Sequence, residues 1–112
     1  MKEKITFGNK LSGILSDPGD SKIVIVLCHG FSSSKESLTY INLEEILNKK
    51  GFATFRFDFY GHGESGGKFE DITLSEAIKN ILQAISLMKN KGYERIGLLG
   101  KSFGGAASLI AA

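Results

Sequence analysis

Gly100-Lys101-Ser102-Phe103-Gly104 carries the residue types of nucleophilic catalysis at a serine. A serine hydroxyl is a weak nucleophile and needs a general base to take its proton. The G-x-S-x-G spacing exposes such a hydroxyl when a strand turns at once into a helix. The two glycines let strand and helix approach, and the oxygen stands at the strand's C-terminal end over a helix N-terminus. Here an apolar run at residues 95–99 precedes the motif and a small-residue run at 104–110 follows it. Ser102 is therefore the candidate nucleophile, Gly100 and Gly104 shape the turn, and the Phe103 amide, next in the chain, is a candidate oxyanion donor. The plainer alternative is a helix N-cap serine.

Two other stretches hold chemistry-bearing residues, His29-Gly30-Phe31 and Asp58-Phe59-Tyr60-Gly61-His62-Gly63-Glu64-Ser65. Gly61 to Gly66 fits G-x-G-x-x-G, but the next helical pattern opens about seven residues later. No helix N-terminus would meet a pyrophosphate, so a dinucleotide site is rejected. Gly100-Lys101-Ser102 resembles the end of a phosphate-binding loop, yet the position of that loop's first glycine is Arg95. No His/Cys/Asp/Glu cluster has metal-ligand spacing. Neither a cofactor nor a metal is expected.

The elements that must hold these residues are legible from periodicity. Residues 3–7 and 11–15 are short runs around Gly8-Asn9-Lys10, a hairpin signal. Residues 23–28 are apolar and mostly β-branched, the pattern of a strand buried on both faces. Ser33-Ser34-Lys35-Glu36 has capping-box spacing and predicts a helix to about Lys50, with Leu43, Ile46 and Leu47 inward. A strand follows at 52–59, then a glycine loop. Thr73-Leu74-Ser75-Glu76 is a second capping box, opening a helix with Ile78, Ile81, Leu82, Ile85 and Met88 on one stripe. A strand at 95–99 and a helix at 103–112 complete the order β-β-β-α-β-α-β-α. The fold class is α/β: a mainly parallel sheet with an N-terminal β-hairpin and helices on both faces. The carboxyl ends of parallel strands are where such folds gather reactive groups.

The chain's 112 residues are one domain or part of one. Fourteen basic against twelve acidic residues leave no basic block, so no nucleic-acid partner is expected. No apolar run is long enough for a signal peptide or a membrane span, and the single cysteine, Cys28, cannot form an internal disulfide. Together these predict a cytoplasmic protein without a membrane partner.

With Leu27-Cys28-His29-Gly30-Phe31, the segment from Phe55 to Ser65, Gly67-Lys68-Phe69-Glu70-Asp71-Ile72-Thr73 and the serine turn in this order, the chain resembles the α/β-hydrolase family. It is most similar to cinnamoyl and feruloyl esterases and to domains of the serine aminopeptidase S33 and monoacylglycerol-lipase type. The resemblance covers nearly the whole chain and only the N-terminal part of that fold. It implies that the Phe31 amide is the second oxyanion donor. It also implies that His29, Gly30, Asp58, Gly61, His62 and Gly63 support the surrounding loops and do not act as base or triad acid.

The resemblance further implies a small-molecule ester substrate and a triad ordered Ser, Asp or Glu, His. No Asp or His follows Ser102. The expectation is a partial domain, 1–112, a piece of a longer chain, nearly inactive alone. Its last strand would leave an open sheet edge and favour self-association. Three functions stay open: an ester hydrolase, an inactive binding or self-association module, and a peptidase or thioesterase on the same scaffold.

Overall fold

A computed structural model of the protein describes residues 1–30, 33–69 and 72–100. Phe31, Ser102, Phe103, Gly104 and the expected helix at 103–112 lie outside them.

The elements run β1 (Lys2–Phe7), β2 (Leu11–Ser16), β3 (Ile23–Cys28), α1 (Leu38–Lys49), β4 (Ala53–Phe57), α2 (Leu74–Asn90) and β5 (Arg95–Gly100). They form one sheet in the order β1-β2-β4-β3-β5. β3 pairs in parallel with β4 on one side and β5 on the other. The hairpin extends this parallel part with two antiparallel pairings, β1 with β2 and β2 with β4. The expected turn at Gly8-Asn9-Lys10 closes it, with Gly8 and Lys10 both at positive φ.

Cross-strand register sorts the two faces. Leu15, Phe55, Val26 and Leu98 share one row, and Ile14, Arg56, Leu27 and Leu99 the next. Side chains of successive rows point to opposite faces. The Phe55 face carries the main core, where Phe7, Phe55, Phe57 and Phe59 meet Ala77, Ile81, Ala84 and Met88 of α2. The phenyl rings pack edge to face, with centroids 5.3 Å apart for Phe7–Phe55 and 5.0 Å for Phe57–Phe59. Gly13 must be small, because a Cβ there would strike the Phe55 ring.

α2 starts as the sequence predicts, with Thr73 Oγ1 accepting from the Glu76 amide at 3.0 Å. Its deepest residues include Ala77 and Ala84, while Leu82 is exposed. Small residues let the helix lie close to the aromatic sheet; of the expected stripe Ile81 and Met88 are fully buried, Ile78 and Ile85 pack against the core, and only Leu82 falls outside it.

α1 covers the opposite face and departs further from expectation. It begins at Leu38, with Ser37 as an N-cap that makes no side-chain cap bond. The Ser33–Glu36 capping box does not form: the Ser33 amide donates to the Gly30 carbonyl, the Glu36 amide to Ser34 Oγ, Glu36 Oε1 accepts from Arg56, and Lys35 between them is committed elsewhere. Its amide donates to Asp58 Oδ1 and its carbonyl accepts from Arg56 Nη1. The inward residues are Tyr40 and Glu44, and Ile46 is exposed. Arg56 lies buried on this face of the sheet and needs a carboxylate. Glu44 Oε1 supplies it at 3.0 Å, and Lys2 from β1 reaches the other oxygen.

Candidate functional site

Cys28, Phe57 and Gly100 are register partners, so the three parallel strands end level at one edge of the sheet. His29-Gly30 and Asp58 onward leave from that edge, where β5 also ends. Strand β4 stops two residues short of the expected 52–59, because the Phe59 amide turns away to the His29 ring.

His29 is buried and has both ring nitrogens engaged. Nδ1 sits 2.7 Å from the Gly30 carbonyl, which can only accept, so Nδ1 carries the proton and Nε2 accepts from the Phe59 amide at 3.0 Å. Burial, with the neighbouring His62 and Lys35 adding to it, pulls the ring down to about 4. His29 is thus a neutral bridge between the ends of β3 and β4, and it has no lone pair to take a proton from a nucleophile.

Asp58 is fully buried and its carboxylate accepts three hydrogen bonds. The donors are the Lys35 amide at 2.7 Å, Lys35 Nζ at 2.6 Å and the Glu64 amide at 2.9 Å. Its amide donates to the Ser12 carbonyl and its carbonyl accepts from Ser65 Oγ. Gly63, at φ +48, presses on the Asp58 carboxylate, so a Cβ would overlap it. The glycine loop is therefore wrapped around one carboxylate, and that carboxylate is not available to orient a histidine.

The rest of the loop is tied as tightly. The Gly61 amide donates to the Gly66 carbonyl, and the Gly66 amide to the Lys10 carbonyl in the hairpin turn. The Tyr60 amide donates to Asn80 Oδ1 of α2 at 2.8 Å. His62 is buried, with Nδ1 3.0 Å from the Tyr60 carbonyl and its ring packed between those of His29 and Phe69.

Lys35 is the residue the sequence reading missed as part of this site. Its side chain is completely buried, with Nζ 2.6 Å from Asp58 Oδ2 and 2.8 Å from Glu64 Oε1. Burial alone would lower the ammonium, but the Asp58 and Glu64 carboxylates outweigh it and hold the group above its ordinary value. Glu64, bonded to Lys35 and then to Lys4 of β1, is held down to about 2. One signal was present: a carboxylate directly after an apolar strand needs a cation, and Lys35 follows the neighbouring parallel strand.

The structure thus brings together His29, Gly30, Asp58, Gly61, His62 and Gly63 at the strand ends, with Gly100 level with them. Among the described residues, no group of three His, Cys, Asp or Glu could hold a metal ion, and no helix is long and apolar enough to cross a membrane.

The sheet order, the helices on its two faces and these anchored turns define the α/β-hydrolase class. Within it, the chain belongs to the serine aminopeptidase S33 family, whose profile matches residues 19–112. Among solved structures it is similar to Est1E from Butyrivibrio proteoclasticus, determined with ferulic acid bound. The two are 36% identical with a TM-score of 0.86, covering 91% of this chain and 43% of that one. The esterase Pf2001 of Pyrococcus furiosus is 28% identical with a TM-score of 0.87, covering 98% and 46%. A carboxylesterase of Bacillus subtilis is 29% identical over 91 residues, covering 81% of this chain and 36% of its own. The chain therefore spans less than half of each of these relatives.

Proposed function

We propose that this chain forms the nucleophile-bearing part of a serine hydrolase of carboxylic esters. The observation that carries the reading is the level row Cys28–Phe57–Gly100, with the G-x-S-x-G serine two residues beyond its end. Residues at the carboxyl ends of parallel strands converge on one crevice in this class of fold. The similarity to an esterase, to a carboxylesterase and to Est1E, which holds ferulic acid, supports an ester as the substrate.

Ser102 Oγ attacks the ester carbonyl and gives its proton to a histidine base. Amides of Phe31 and Phe103 receive the developing oxyanion. The intermediate collapses to an acyl-enzyme as the alcohol leaves with the proton, and water then releases the acid. The base and its acidic partner come from outside these 112 residues. Of the chain's two histidines, His29 is locked neutral and His62 is buried in the glycine loop with Nδ1 against the Tyr60 carbonyl, and Asp58 already serves Lys35 and that loop.

The family description, serine aminopeptidase, favours a second reading in which the same serine cleaves an aminoacyl amide. The test is steady-state kinetics of the full-length protein with an aryl acetate, methyl ferulate and an aminoacyl anilide. The ester reading expects turnover of at least one ester, with Ser102→Ala lowering kcat/KM by about 10⁴-fold or more. Turnover of the anilide alone selects the second reading. Ester turnover that survives Ser102→Ala refutes both.

A further inference from the structure

We propose that Lys35 is a positioning residue for the oxyanion loop, an inference that rests on the serine-hydrolase reading above. The loop leaving β3 is keyed to one dipeptide, Asp58-Phe59, from both sides of residues 31–32. On the near side, His29 Nε2 accepts from the Phe59 amide while Nδ1 donates to the Gly30 carbonyl. On the far side, the Lys35 amide and ammonium both donate to the Asp58 carboxylate. The Ser33 amide, between them, donates back to the Gly30 carbonyl at 3.0 Å. Arg56 Nη1 fixes the Lys35 carbonyl at 3.0 Å, so Lys35 is held by amide, carbonyl and side chain at once.

A fully buried ion pair gains little stability over an apolar pair of similar volume, because desolvation offsets the attraction. What it adds is geometry: a carboxylate accepting from three fixed donors admits one arrangement. An oxyanion donor requires such precision, since a shift of about 1 Å at a reacting centre costs on the order of 10² in rate. Lys35 thereby fixes the far anchor of the segment that contains the proposed donor, as His29 fixes the near one, without touching substrate itself.

The test uses the full-length protein and a fluorophosphonate ester, measuring the limiting rate constant of phosphonylation and the half-saturating concentration. Both refer to folded molecules, so a reduced folded fraction does not change them. Lys35→Met is expected to lower the limiting rate about 10²-fold and to leave half-saturation within about threefold. Glu64→Gln, at a half-exposed site, loosens the same ammonium and is expected to lower the rate about three- to tenfold. Lys35→Arg, which keeps the charge, is expected to recover part of the loss. A limiting rate within threefold of wild type in Lys35→Met overturns the inference, as does that result in Glu64→Gln should Lys35→Met not fold. If Ser102→Ala is still phosphonylated, the hydrolase reading falls and takes this inference with it. If only the Lys35 series is silent, the hydrolase reading stands alone.

Discussion

His29 shows how burial decides a residue's role. Its ring is held neutral down to about 4, against 6.5 for a free imidazole. Between those values the unfolded chain binds a proton that the folded one refuses, so stability is complete above about pH 6.5 and falls as the pH drops toward 4. The slope approaches about 1.4 kcal/mol per pH unit for one proton. Urea denaturation at pH 7 and pH 4.5 should show this loss, and His29→Gln should flatten it. Glu64 acts in a lower window. Its depressed value means that its ion-pair contribution is present above about 4.5 and is lost as the pH falls toward 2. Histidine in an H-G-F turn is readable from sequence as a loop residue. Its locked tautomer is not, because that depends on the Phe59 amide thirty positions away.

The helices show where local signals suffice. Both capping boxes have the right spacing, yet only Thr73 caps a helix. Thr73→Ala is expected to cost about 1 kcal/mol in a denaturant titration. Ser33→Ala should cost less than about 0.5 kcal/mol, because α1 starts five residues beyond it. Tertiary demand overrides the first box: Asp58 and Arg56 claim the backbone of Lys35. The same demand places Glu44 inward on α1, where hydropathy predicted Leu43, Ile46 and Leu47. Periodicity sees apolar burial and is blind to a carboxylate drawn in by Arg56. The glycine loop carries the sharpest test at this scale. Gly63→Ala places a methyl against Asp58 at positive φ, and should destabilise by about 1–3 kcal/mol or more in the same titration.

At the scale of the molecule, the order of elements and the two helix layers follow from alternation along the chain, whereas the spatial strand order β1-β2-β4-β3-β5 does not, and the sheet's mixed pairing comes from the hairpin joining β4. The site is less legible, because the residues that set it come from β2, α2 and the loop before α1, and meet only in three dimensions. Among the described residues, β5 pairs only with β3. Beside it, Leu82, Ile85, Ile96 and Leu98 line a groove of 570 Å³ against α2. Lys89, Tyr93 and Glu94 complete its lining, and an open strand edge beside these apolar side chains is prone to pairing with another chain. Expressed alone, the 112 residues are expected to associate with rising concentration in sedimentation velocity, and Leu98→Lys to reduce that association. A single monomer peak at all concentrations would contradict this.

The central proposal is that Ser102, two residues beyond the last residue of β5 in the sequence, is the nucleophile. Peptide mapping after reaction of the full-length protein with a fluorophosphonate tests it most directly. The account predicts one adduct, on the peptide containing Ser102, and none in Ser102→Ala. An adduct elsewhere, or an equal adduct in the alanine variant, would contradict it.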